Sequence, residues 1–173
     1  MNRQDIAQEL GDPAAQELLA TATLLRLAYN GLDGLPRVIP IGFHWDGEQL
    51  IICTAPTSPK AAALSERPEV AVTIDVGSSP AEAKSVLVRG VATLEIVDGV
   101  AEDYIAAARK TMDAEQIEVF RESVEAMYDQ MARIVIEVRW ARFFDFGAGR
   151  WPAFLATLAS NAAEGGSTGQ QIG

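Results

Sequence analysis

The segment from Arg37 to Leu64 constrains the fold more than any other part of the chain, because it combines two β-rich runs, a tight turn and a helix start. The runs 36–45 and 48–54 flank Asp46-Gly47, and Asp-Gly between such runs is a strong hairpin signal. Ser58-Pro59 then predicts the beginning of a helix, with Ser as the N-cap and Pro at the first position. The segment therefore predicts strand, turn, strand and helix in close succession.

Lys60 falls in the first turn of that predicted helix, where the helix dipole disfavours a positive charge. An anion held between the ammonium and the free N–H groups of the helix would remove this conflict. The pattern therefore indicates a phosphate site lying against a hairpin. The alternative is a solvated lysine on an ordinary capped helix, and the local pattern alone does not separate the two.

Composition narrows the class of protein. The chain has 173 residues, 49% of them hydrophobic and 22% charged, which is typical of one globular domain with a real core. The net charge of −10, with only 14 Lys and Arg, argues against nucleic acid and against an acidic membrane surface as partners. No apolar run approaches the roughly 18 residues of a membrane span.

Cys53 and His44 are the single cysteine and the single histidine. One cysteine allows no intramolecular disulfide, and the first residues lack the apolar stretch of a signal peptide, so we expect a cytoplasmic protein. This pair cannot form a zinc cluster, and no metal site is expected. A hydrolytic triad would need His44, which lies in a predicted strand, and no Gly-x-Ser-x-Gly motif is present.

The rest of the chain predicts further strands around a helical region. The expected elements are a helix opened by Asp12-Pro13, strands at 21–29, 70–76, 84–97 and 133–146, and helices over 99–131 broken near 111–113. Gly90 predicts a bulge or a close backbone approach within its strand. Ile134, Ile136, Val138 and Trp140 are expected on one face. Closely spaced strands of this kind favour an antiparallel barrel over a doubly wound sheet.

The sequence also predicts which helix residues face solvent and where the folded domain ends. Acidic residues of the helical region are expected on solvated faces, namely Glu102, Asp103, Glu115, Glu118 and Glu122. Residues 1–160 are expected to form one domain, and the Gly-, Ser- and Gln-rich segment 161–173 is predicted to be a disordered tail.

Five short segments match one known family in order and spacing. They are Asp33-Gly34-Leu35-Pro36-Arg37-Val38 leading into Pro40-Ile41-Gly42-Phe43, the strand end at Thr54, Ser58 to Leu64, Pro68 to Ile74, and Val86 to Ala92. Over residues 18–146 the chain resembles the FMN-binding split-barrel proteins of the pyridoxamine 5'-phosphate oxidase-like superfamily. The resemblance implies a β-rich α+β fold, an antiparallel split β-barrel with peripheral helices. It also implies a homodimer with the cofactor at the subunit interface.

The resemblance assigns cofactor roles to residues of this chain. Arg37 and Lys60 would neutralise the flavin phosphate, and Ser58 and Thr54 would hydrogen-bond the phosphate or the ribityl chain. These residue types suit the task, because a flavin phosphate carries close to two negative charges and charge-assisted hydrogen bonds hold it well.

The ring of the flavin would lie elsewhere. The resemblance places the isoalloxazine ring along the backbone of Val38, Ile39 and Pro40. Ser85 takes a position, five before Gly90, where the oxidase members usually carry Gln. No catalytic residue is assigned, because the flavin itself carries hydride transfer.

The chain departs from the vitamin-B6 oxidases at three positions. Pro59 stands where they often have Arg, Gly42 where they have Lys, and Ser85 where they have Gln; their C-terminal Arg-x-His-Asp-Arg signature is also absent. These departures argue against pyridoxamine phosphate oxidation. The expected function is an FMN-binding oxidoreductase acting on an unknown small organic substrate. The alternatives are a reductase using the deazaflavin coenzyme and a non-catalytic flavin- or haem-binding module. A haem would need an axial His, Cys, Met or Tyr, and His44 and Cys53 are the only His and Cys.

Overall fold

The computed structural model describes the backbone of residues 1–166 and the side chains of residues 1–161. Seven strands form one antiparallel sheet, and six helices lie around it. In chain order the elements are α1 (Arg3–Leu10), α2 (Pro13–Thr21), β1 (Leu24–Asn30), β2 (Pro36–Gly42), β3 (His44–Trp45), β4 (Leu50–Thr54), α3 (Pro59–Glu66), β5 (Glu69–Val76), β6 (Lys84–Asp98), α4 (Glu102–Ala108), α5 (Ala114–Glu125), β7 (Gln130–Asp145) and α6 (Ala153–Gly166).

The sheet is an open barrel, as expected from the sequence. Its strand order is β2-β1-β5-β6-β7-β4-β3, so β2 and β3 form the two edges. These edge strands are consecutive in the chain and are separated by the single residue Phe43, whose side chain is fully buried. The sheet must therefore curl until its edges approach each other. The gap between the edges is the split of the barrel.

The predicted hairpin is wrong for most of its length. β2 pairs with β1 along its whole length, after a turn in which Gly34 has a φ of 78°. Only His44 and Trp45 of the first predicted run pair with β4. The physical reason is Phe43, because burying its ring ends the ladder of β2 and carries the chain across the split.

The core lies on the inner face of the curled sheet. Side chains from β1, β4, β5, β6 and β7 meet helix α2 there, and Leu19, Leu25, Leu50, Ile74 and Ile136 are fully buried. A second, smaller cluster lies on the other face of β4, where Ile51 and Cys53 pack against Ala101 and Met131. Both faces of β4 are therefore covered, and α4 covers the second one.

The bulge predicted at Gly90 is confirmed. A Cβ on Gly90 would lie 2.5 Å from the carbonyl oxygen of Glu137, so only glycine fits this approach. The register places Arg89 opposite Trp140 and Gly90 opposite Val138, which leaves one extra residue on β7. This extra residue reverses the alternation. Trp140 therefore lies on the outer face with Arg89, and its predicted place beside Ile134 and Ile136 is wrong.

Other boundaries differ from prediction. The helical region breaks near 111–113 as expected, but α5 ends at Glu125 and β7 begins at Gln130, so the predicted helix was too long. Helix α1 was not predicted from the sequence; an Asn2–Asp5 capping box begins it. Of the predicted tail, residues 161–166 lie in α6 and the remainder lies outside the described residues.

Candidate functional site

Helix α3 begins where its sequence predicts. Ser58 is the N-cap, and its Oγ accepts a hydrogen bond from the Ala61 N–H at 3.3 Å. The Ser58 hydroxyl keeps its own hydrogen for donation to a ligand. Thr54 is the last residue of β4, and both side chains are half-buried. The strand end and the helix start therefore place Thr54, Ser58 and Lys60 along one short stretch of chain.

Lys60 is a half-buried cation at the N-terminal end of α3. Burial alone lowers the pKa of its ammonium, without a contribution from a neighbouring charge. Within residues 1–161 no carboxylate lies within 4.0 Å of it, since every ion pair found joins other residues. The conflict that the sequence indicated is therefore present: a positive charge stands at the positive end of a helix without a counter-ion.

Arg37 is placed differently from Lys60. Its Nη2 lies 2.7 Å from Asp33 Oδ2, and its hydrogen bond lowers the pKa of that carboxyl group. Arg67, at the C-terminal end of α3, donates from Nη1 to the Gly31 carbonyl at 3.1 Å. A Cβ on Gly31 would also lie 3.1 Å from Arg37 Cζ, so the two guanidinium groups meet at the same turn.

The structure thus sets two positive groups apart along α3. The helix has eight residues, a length of about 12 Å. Lys60 stands at its beginning, and Arg37 lies with Arg67 near its end. Arg37 and Lys60 share no hydrogen-bond partner among the described residues.

Strand β2 offers a free backbone edge. It pairs with β1 only, because it is the first strand of the sheet. Val38 is 66% exposed, Pro40 is exposed, and Ile39 packs against the core from the other face. Unpaired backbone groups along such an edge can hydrogen-bond a planar ring, which is what the predicted ring contacts require.

Ser85 does not join this group within one protomer. It lies at the start of β6, opposite Asp75 of β5 and Phe144 of β7. The strand order puts three strand spacings between β2 and β6, or about 14 Å along the sheet. A ligand seated on Val38–Pro40 is therefore too far from Ser85 of the same protomer for direct contact.

A cavity of about 370 Å³ lies between β2, β4 and α4 and is called the β2–α4 cavity below. Its walls include Ile41 and Gly42 from the end of β2, Cys53 from β4, and Asp103 and Tyr104 from α4. Burial raises the pKa of the Cys53 thiol to about 12 and also raises the pKa of Tyr104. Both groups are therefore protonated at neutral pH.

Asp103 was predicted on a solvated helix face, and the structure corrects this. Its Oδ2 accepts from Arg133 Nε at 2.6 Å, its Oδ1 lies 4.0 Å from His44 Nε2, and its side chain is 18% exposed. Arg133 is 30 residues away in the chain, so helical periodicity carries no signal for this pair. Sequence reasoning therefore missed the one charged residue that lines the cavity.

Most of the chain matches a known protein family. The sequence model described as pyridoxamine 5'-phosphate oxidase matches residues 12–140. The chain belongs to this family. The match includes β1 to β7 up to Trp140 and all the predicted cofactor positions, so the resemblance drawn from the short segments is confirmed.

Solved structures share the fold. The chain is similar to the conserved hypothetical protein Rv2991 from Mycobacterium tuberculosis, at 22% identity and a TM-score of 0.60 over 88% of this chain and 89% of that one. It is similar to a structure named F420 reductase (22% identity, TM-score 0.51, 73% of this chain and 94% of that one). It is also similar to HutZ, the haem storage protein from Vibrio cholerae, at 16% identity and a TM-score of 0.55 over 75% of this chain and 92% of that one. No curated protein sequence matches the chain.

One exclusion comes from the helices. Among the described residues, none of the helices combines the length and the apolar character needed to cross a bilayer.

Proposed function

We propose that this chain is a cytoplasmic, homodimeric oxidoreductase that binds FMN and acts on a small organic substrate. The observation that carries the proposal is Lys60, a half-buried ammonium at the start of α3 for which residues 1–161 provide no counter-ion. A phosphate placed there would gain an ion pair with Lys60 and a hydrogen bond from Ser58. Membership of the pyridoxamine 5'-phosphate oxidase family supports a flavin as the source of that phosphate.

The residues present fit the phosphate, the ribityl chain and the ring of FMN. Lys60, Ser58 and Thr54 would hold the phosphate and the ribityl hydroxyls, and the free edge of β2 at Val38 to Pro40 would bind the ring. When bound, FMN supplies the hydride-transfer chemistry. The protein's part is to orient the ring and to exclude water from the cavity next to it.

The outer face of the sheet supports a dimer. Val38 is 66% exposed there, and the exposed Arg89 stacks over the Trp140 ring at 4.5 Å. A second protomer packed on this face would cover these groups. It would also bring Ser85 of the partner subunit toward a ligand seated on β2, which Ser85 of the same protomer cannot reach. Sedimentation should then give about twice the 18.5 kDa chain mass, and a flavin-loaded monomer would contradict this part of the proposal.

FMN titrations of Lys60→Ala test the phosphate site. Loss of a charge-assisted hydrogen bond costs roughly 1.5–3 kcal/mol, which is about a ten- to hundred-fold loss of affinity. Arg37→Ala should cost less, because Asp33 already neutralises Arg37 in the free protein. Arg109→Ala, an exposed change at the end of α4, controls for net charge. Unchanged FMN affinity in Lys60→Ala would refute the proposal.

The cofactor itself needs a direct comparison. The deazaflavin coenzyme F420 carries an acidic tail beyond its phosphate, and the net charge of −10 would repel it. Similarity to a structure named F420 reductase keeps this coenzyme as the rival, and similarity to HutZ raises haem. We expect FMN to bind more tightly than F420 at one salt concentration. Tighter F420 binding would replace FMN in the proposal, and a haem absorbance spectrum in the purified protein would contradict it.

A further inference from the structure

The β2–α4 cavity adjoins the positions proposed for the flavin ring. Ile41 and Gly42 line it and directly follow Pro40 on β2, while Cys53 lines it and directly precedes Thr54 on β4. The cavity is therefore lined by the residues next to Pro40 and Thr54, two positions of the proposed flavin site. With about 370 Å³, the cavity lies at the small end of the range for small-molecule sites.

The described walls of the cavity offer an anion no positively charged side chain. Of the described residues that line it, none is Lys, Arg or His, and Asp103 is the one carboxylate. The nearby cations are engaged elsewhere: Arg133 binds Asp103, and the Lys110 ammonium donates to the Leu19 and Ala22 carbonyls at 3.1 and 2.9 Å. A phosphate placed here would lose its hydration and face a carboxylate.

The cavity does offer one charged acceptor, the Asp103 carboxylate. Asp103 Oδ2 is occupied by Arg133 Nε, but no described donor lies within hydrogen-bond distance of Oδ1, since His44 Nε2 is 4.0 Å away. Most of the remaining wall is apolar, including Ile51 and Phe120. A ligand therefore finds apolar contacts along its body and a carboxylate acceptor for a hydroxyl or an amide N–H.

We infer that the β2–α4 cavity receives an uncharged, largely apolar molecule that donates a hydrogen bond to Asp103 Oδ1. The role of this molecule as redox substrate rests on the proposed function; its binding does not. The inference sets the chain apart from oxidation of pyridoxamine 5'-phosphate, whose phosphate would have no partner in this cavity.

Three probes with one ring system test the inference. 1-Naphthol is uncharged and donates a hydrogen bond, 1-methoxynaphthalene is uncharged without a donor, and 1-naphthyl phosphate is an anion. Calorimetric titration of the purified protein in phosphate buffer, in which inorganic phosphate competes for the site proposed at Lys60, should rank them in that order. The methoxy compound should bind about three- to tenfold more weakly than naphthol, because one hydrogen bond is lost. The phosphate should bind at least about tenfold more weakly, because its charge would be desolvated without a partner.

Variants locate the binding. Ala107 lines the cavity from α4, so Ala107→Phe should abolish naphthol binding, whereas the same change at the exposed Ala126 should not. Circular dichroism checks the fold of both. Ala107→Lys should improve binding of naphthyl phosphate relative to naphthol, even if the Phe variant fails to fold.

The outcomes separate this inference from the proposed function. Naphthyl phosphate binding as tightly as naphthol, or naphthol binding unaffected by both changes at Ala107, would overturn the inference. A protein that ranks the probes as expected but does not bind FMN would keep the cavity assignment and refute the proposed function instead.

Discussion

Glu9 fastens α1 to the end of β7, and its charge can be removed with little change in shape. The side chain is 14% exposed and accepts hydrogen bonds from the Phe143 N–H at 2.9 Å, from Arg142 Nη1 at 2.7 Å and from Arg150 Nη2 at 2.5 Å. Glu9→Gln turns an N–H toward one of these donors. We expect a loss of about 2 kcal/mol in the free energy of unfolding, because hydrogen bonds to charged groups contribute roughly 1.5–3 kcal/mol and both arginines are partly exposed.

The contribution of Glu9 should depend on pH in a defined direction. Burial raises the pKa of Glu9, but the hydrogen bonds from Phe143, Arg142 and Arg150 outweigh burial and hold that pKa below its ordinary value of 4.5. The stabilisation is therefore complete above the unfolded pKa of 4.5 and is lost as pH falls through the lower folded pKa.

Urea denaturation and thermal denaturation, each followed by circular dichroism at about pH 7 and about pH 3, measure both effects. At neutral pH the melting temperature of Glu9→Gln should fall by roughly 4–8 °C, and the difference from the native chain should shrink in acid. Glu118→Gln, an exposed change on α5, is the matched control. Equal stability of Glu9→Gln and the native chain at neutral pH would refute the role of this network, and an undiminished difference in acid would refute its pH dependence.

Two further predictions concern the sheet. Gly90→Ala should destabilise the protein by more than about 2 kcal/mol, because its Cβ would lie 2.5 Å from the Glu137 oxygen; an unchanged melting temperature would contradict the bulge geometry. Cys53, 7% exposed and with a pKa raised by burial to about 12, should resist iodoacetamide at about pH 8 in the folded protein and react once urea unfolds it. Equal rates in both states would contradict the raised pKa of the buried thiol.

The sequence predicted elements better than their pairing. Local signals are sufficient for α3 and for the bulge at Gly90. The helix begins at Ser58-Pro59 and ends before Pro68, as predicted. The partner of β2 could not be predicted, because Asp46-Gly47 forms a turn that joins only the two residues of β3 to β4. Whether a strand continues through Phe43 depends on where that ring is buried, which is a property of the whole barrel.

In the candidate site, too, the sequence predicts local groupings of residues but not contacts between distant elements. Thr54, Ser58 and Lys60 are near one another in sequence, so their grouping follows from local structure. Asp103 and Arg133 meet only because α4 packs on β4, which pairs with β7. The sequence also could not show that Asp33 already binds Arg37, since a turn residue four positions away is compatible with many side-chain arrangements.

Two prolines in β2 explain how the open barrel can keep an unpaired edge strand. An unpaired edge strand is a risk, because its free backbone groups can recruit a strand from another chain. In β2 the first residue is Pro36 and the fifth is Pro40, and neither has an N–H to offer to a foreign strand. Carbonyls and the remaining N–H groups stay available to a planar ligand. The same two prolines that weaken β2 as a template for another strand therefore leave it suited to bind a ring, and this favours β2 over β3 as the edge for the proposed cofactor.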